Sequence, residues 1–92
     1  MKAWVETAVG TPEEVIGAVD REGPTPGPGE VQIRVGAAGL GLPDVLMCRG
    51  KYAMSPPLPF VPGQEVAGEV TAVGEGSRYA VGDRVMGVTA FY

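Results

Sequence analysis

The sequence predicts a small, mainly β domain, a barrel or sandwich of short strands. Between Glu30 and Ala38, Val31, Ile33, Val35 and Ala37 alternate with Gln32, Arg34 and Gly36, the period of a strand with one buried face. A second long run, Gln64 to Val73, sets Glu69 and Thr71 as solvent-facing positions against Val66, Val70 and Ala72. The 15 Gly and 9 Pro fall between such runs as turn and loop punctuation. There is no repeat, no heptad, no amphipathic helix of ordinary length and no alternating βαβ pattern.

Taken in order, Lys2 to Thr7 and Glu14 to Val19 flank a Gly10-Thr11-Pro12 break and read as two short antiparallel strands. Gly23 to Gly29 alternates Gly and Pro, which removes backbone donors and weakens both helix and strand, so it is a surface loop leading into the strand at 30–38. Leu42 to Cys48 reads as a short helix with Pro43 at its first turn and Gly50 as its stop. Lys51 to Pro62 holds Pro56, Pro57, Pro59 and Pro62, too many to pair into a sheet. It is expected to be an ordered, irregular loop bearing Tyr52, Met54 and Phe60, of the kind that often carries function. Gly74-Glu75-Gly76 turns the chain after the second strand. Val81-Gly82-Asp83 makes a tight turn into a last strand at Arg84 to Thr89.

Composition narrows the chemistry. With 92 residues the chain supports a single modest core. The net charge is −4 and the 7 basic residues are scattered, so nucleic acid is not an expected partner. No apolar run reaches the roughly 20 residues that span a bilayer, and the first residues carry no signal-like apolar stretch, so the chain reads as cytoplasmic and without a membrane partner. The chain has no His, which removes His-based acid/base work and nearly every common zinc site. Cys48, the single cysteine, has nothing in the sequence to activate it and reads as a small, semi-buried hydrophobe.

The residues that could carry chemistry have plain structural alternatives. Gly39-Leu40-Gly41-Leu42-Pro43-Asp44 superficially suggests a dinucleotide fingerprint, but the third Gly is missing and no ordinary helix follows. A strand end turning into a helical turn accounts for it. Asp44 and Glu65 are the carboxylates expected to be partly buried, with capping of backbone N–H groups, or pairing with Arg49 or Arg84, favoured over acid/base work. Asp83 is read as a turn residue holding its own backbone, and Phe60 as a packing anchor. Tyr52 either covers the core or lines a cleft.

The segments GEVQIRVGAAGLGLPDVLMCRGKY, PPLPFVPGQEVAGEVTAVGEG and VGDRVMG, in this order, resemble the N-terminal part of medium-chain dehydrogenases/reductases and, within them, the zinc-independent quinone oxidoreductase branch. The likeness runs over residues 2–89. It implies that residues 1–92 form a GroES-like substrate domain, a partly open β-barrel with one short helix. A Rossmann nucleotide-binding domain would follow it as its missing partner. The zinc-dependent relatives place a Cys two residues after the first motif glycine and a His before the glutamate, whereas this chain has Gly41 and Gln64 there. The implied activity is hydride transfer from NADPH, without zinc, to a small apolar quinone or conjugated carbonyl. The cofactor is held in the whole enzyme, a homodimer in relatives, rather than by this part alone. The resemblance places the nicotinamide cleft at Gly41, Leu42, Leu46 and Tyr52. Relatives often carry Asn at the first of these and an aromatic or polar residue at the third, from which Gly41 and Leu46 depart. No catalytic side chain and no metal ligand is assigned within these residues. A stand-alone GroES-like binding or scaffold module without catalysis is the alternative, although the loop stiffened by four prolines is unlike a flexible co-chaperonin loop.

Overall fold

A computed structural model of the chain describes residues 1–53 and 56–89. These are mainly strand, as expected, and their contacts divide them into two compact units: Met1–Glu22 with Leu40–Gln64, and Gly23–Gly39 with Glu65–Thr89.

In the first unit, β1 (Lys2–Glu6) pairs antiparallel with β2 (Ile16–Asp20), running from Lys2 opposite Asp20 to Glu6 opposite Ile16. The second strand begins later than the sequence predicts. Pro12 to Val15 instead form a single helical turn, α1, because Pro12 presets the helical φ and the Glu14 and Val15 N–H groups both turn back to the Thr11 carbonyl, at 2.9 and 3.1 Å. α2 (Leu42–Cys48) occupies the expected residues, with Pro43 second rather than first in the helix. Its end is a Schellman motif: Lys51 N–H donates to the Leu46 carbonyl (2.8 Å) and Gly50 N–H to that of Met47 (3.0 Å), with Gly50 at φ 68°.

The core of this unit is Ala3, Val5, Met47, Cys48 and Phe60. Phe60 is buried, as a packing anchor should be. The proline loop nevertheless pairs at one point, since Glu6 and Phe60 exchange backbone hydrogen bonds of 2.8 and 3.2 Å. One residue between two prolines keeps its N–H, and one is enough for a bridge. Met54 lies outside the described residues.

The second unit is one antiparallel sheet in the order β3 (Val31–Gly39), β4 (Glu65–Val73), β5 (Arg84–Val88). Among its described residues Val70 alone is fully buried, and Glu69 faces solvent, as the alternation predicts. The expected buried face of β3 is not buried: Val35 is 52% exposed and Ala37 is also open. Arg34 to Ala38 are all exposed, so neither face of this stretch is covered among the described residues, and register shifts at Gln32/Ile33 and at Val35/Ala37 break the strict alternation besides.

Gly68 sits where β3 and β4 cross most closely. A Cβ there would overlap the Arg34 carbonyl and the Ile33 side chain. The β4–β5 connection turns as expected, with Gly82 at φ 97° and the Asp83 carboxylate accepting the Ala80 N–H at 2.9 Å. Among the described residues no helix is long and apolar enough to cross a membrane.

Candidate functional site

The four positions assigned to the nicotinamide cleft all belong to the first unit. Gly41 is the N-cap of α2, extended and open to solvent; a Cβ there would meet Pro43 Cδ at 3.4 Å and otherwise protrude into open space. Leu42 and Leu46 are four residues apart, so they lie on one face of α2. Leu42 is 68% exposed and Leu46 is half-buried. Tyr52, half-buried, follows one residue after the Schellman stop. One short helix and its stop therefore position all four, whereas their approach to a common ligand is not recorded by any contact among them.

Asp44 holds the entrance to this helix. Its Oδ2 accepts the Gly41 N–H at 2.9 Å, the half of a capping box that a glycine N-cap permits, and its Oδ1 accepts the Gly63 N–H at 3.0 Å. The capping role expected for Asp44 is what the structure shows, and it pairs with neither arginine. The second partner was not legible in the sequence. Gly63 adopts φ 99°, a left-handed conformation that aims its N–H at Asp44, and Leu40, 81% exposed, closes against it with Cδ2 3.7 Å from the position a Cβ would take. One carboxylate thus ties the Gly-rich turn at 39–41 to the start of the Gly63-Gln64-Glu65 motif.

Gln64, standing where zinc-dependent relatives carry His, points its amide at the Met47 sulfur, 3.8 Å away. Glu65, expected to be partly buried, is exposed instead: as the first residue of β4 it lies over Gly39, where a Cβ would come within 2.7 Å of Oε2. The end of a strand leaves its side chain in water even between apolar neighbours. The carboxylate that is buried is Glu6, which sequence reasoning missed. It is fully buried, with the Cys48 thiol as its one recorded side-chain hydrogen-bonding neighbour among the described residues. Burial raises its pKa above the ordinary glutamate range, opposed in part by the Cys48 thiol beside it. Cys48, 1% exposed, is pushed up to about 11 by burial and then by Glu6 and Asp44. It is the inert thiol the sequence suggested, held deeper than expected. No group of three or more His, Cys, Asp or Glu gathers among the described residues.

A Gly-rich turn into a short helix, tied by Asp44 to Gly63 ahead of the Gly-x-Glu segment, defines a class of domain. Residues 27–91 match the alcohol dehydrogenase GroES-like domain family, and the chain belongs to it, within the medium-chain dehydrogenase/reductase superfamily. Among its relatives, the synaptic vesicle membrane protein VAT-1 homolog of Rattus norvegicus is 55% identical over 64 residues, which are 68% of this chain and 16% of that protein. Quinone oxidoreductase-like protein 2 of Mus musculus is 46% identical over 67 residues, 72% of this chain and 19% of its own. A mycobacterial protein solved in complex with NADPH superposes with a TM-score of 0.83 at 42% identity, over 94% of this chain and 25% of that one. The chain spans under a third of the length of each.

Proposed function

We propose that the chain forms the substrate-side part of an NADPH-dependent oxidoreductase that reduces quinones or conjugated carbonyls by direct hydride transfer, without a catalytic zinc. The observation that carries this reading is the composition of the helix entrance. By the resemblance, Gly41 and Gln64 replace two zinc-ligand positions of the relatives, and what stands there is bare backbone at Gly41, beside the exposed Leu42, and an amide at Gln64 turned to the Met47 sulfur. The likeness to quinone oxidoreductase-like protein 2 and to the NADPH-bound mycobacterial structure supports the same class.

The residues present fit a flat, apolar ring. Gly41 lets a ligand lie against the main chain, Leu42 and Leu46 supply apolar contact, and Tyr52 supplies a hydroxyl that can donate to a carbonyl oxygen. With no metal to polarise that carbonyl, orientation and one hydrogen bond remain as the means of activation. NADPH, when bound, supplies the hydride. The acidic balance of this chain supports the expectation that basic groups for the cofactor's phosphates belong to a separate nucleotide-binding domain. The exposed apolar residues of the second unit, Val35, Met86 and Val88, at 52%, 85% and 77%, are consistent with further chain packing there.

The test uses the full-length gene product with NADPH and a series of quinones and enones, with and without a metal chelator. Turnover unaffected by the chelator, and a Tyr52→Phe variant whose kcat/KM falls about tenfold or more, as loss of one carbonyl hydrogen bond requires, are the expected results. Absence of NADPH oxidation with every acceptor, or its loss on chelation, overturns the reading. In the former case a binding module is the better account.

A further inference from the structure

Independently of that activity, Glu6 has an unusual position. Its backbone is paired on both sides, to Ile16 of β2 and to Phe60 of the proline loop, so the residue cannot swing out to water without breaking the bridge. Its side chain is fully buried, and among the described residues the one group acting on its carboxyl by a side-chain hydrogen bond is the Cys48 thiol, a weak donor. Around it, β2 presents Ile16 and the loop presents Phe60, both apolar, while α2 presents the Cys48 thiol, itself acted on by Asp44. The one cation on its own strand, Lys2, lies at the far end and pairs with Asp20 at 3.2 Å.

An ionised carboxylate in such a place has lost its hydration and gained no compensating charge, whereas the neutral acid avoids most of that cost. We propose that Glu6 is a protonation latch: the fold holds it as a neutral carboxylic acid, and loss of its proton loosens β1 from the Phe60 segment. The consequence reaches the candidate site, because Phe60 to Gly63 is a short span fixed at one end by Glu6 and at the other by Asp44. Opening the latch breaks the Glu6 end of that span and leaves the Asp44 bond at the other end in place.

The direction of the pH effect follows from where the protons are. Between the unfolded value, about 4.3, and the raised folded one, the folded chain binds more protons than the unfolded chain. This contribution to stability is therefore complete below the unfolded value and is lost as pH rises through the folded one.

The test is urea unfolding of the full chain and of Glu6→Gln across about pH 4 to 8. In the wild type the unfolding constant should rise by up to about tenfold per pH unit within the window relative to Glu6→Gln, the slope of one proton. The Phe60 amide resonance should titrate with the same midpoint in the wild type and be silent in Glu6→Gln. Parallel stability curves for the two proteins, or a Phe60 amide that does not follow the titration, overturn the proposal. Should Glu6→Gln fail to fold, infrared spectroscopy of the wild type decides. A protonated carboxyl band persisting above the pH at which the glutamates of the urea-unfolded chain ionise is the expected result, and its absence overturns the proposal.

Discussion

Replacing Asp44 with Ala removes two acceptors from backbone donors in different surroundings, so the two losses differ in size. The Gly41 N–H is exposed at a helix N-terminus, where water can replace the carboxylate, and loss of such a cap costs about 0.5–1 kcal/mol. The Gly63 N–H bond is partly buried, and a donor stranded there costs about 1–3 kcal/mol. Because Gly63 is left-handed, it cannot turn its N–H elsewhere without moving the strand that starts at Glu65. Together the change should destabilise the protein by about 1.5–4 kcal/mol, measured as the difference in free energy of urea unfolding. Asp44→Asn keeps one acceptor and presents an amide N–H₂ to the other donor, so it should lose about half as much. A loss below about 0.5 kcal/mol in Asp44→Ala would refute the reasoning, since it would mean that water replaces the carboxylate at both donors.

Other substitutions and probes address separate parts of the structure. Cys48, with its thiol pushed up to about 11 and 1% exposed, should react with iodoacetamide at pH 8 more than about a hundredfold slower than a free thiol in folded protein and at the ordinary rate in urea. Prompt labelling of the folded chain would contradict the burial. Gly68→Ala places a Cβ against the Arg34 carbonyl and Ile33, so it should cost about 2 kcal/mol or more and broaden the amide resonances of β3 and β4 before those of β1. Gly82→Ala meets open space but a left-handed φ, and should cost about 1–2 kcal/mol in the same unfolding assay.

Local chemistry made much of this fold readable. Period-two alternation located β4 and, to within a residue, β3, while Pro43 and Gly50 bracketed α2 because each acts on its own backbone. The turn at Gly82-Asp83 was legible for the same reason, as the glycine supplies the φ and the aspartate caps three residues back. What failed depended on partners distant in sequence. The open face of β3 is one case, since alternation marks which residues share a face but not whether anything packs on it, and residues 34–38 are uncovered on both sides among the described residues. The swap of Glu65 for Glu6 as the buried carboxylate has the same origin. Apolar neighbours in sequence suggested burial for Glu65, but it lies at a strand end, whereas Glu6 is enclosed by Ile16, Phe60 and Cys48, each from a different part of the chain.

The candidate site divides along the same line. Gly41, Leu42, Leu46 and Tyr52 could be placed because they ride on one short helix and its stop, and the resemblance gave that helix its meaning. The supports beneath it could not. Asp44 reaches 19 residues forward to Gly63, and Glu6 is bridged to Phe60 three residues before that glycine. Both are acidic side chains used for what their position does to backbone, one by accepting two N–H groups and the other by being enclosed beside a thiol. The first should therefore stabilise the loop, and the second should weaken it as pH rises. A pH-dependent change in the proposed site would then originate at Glu6, on a strand that contributes no residue to the proposed lining.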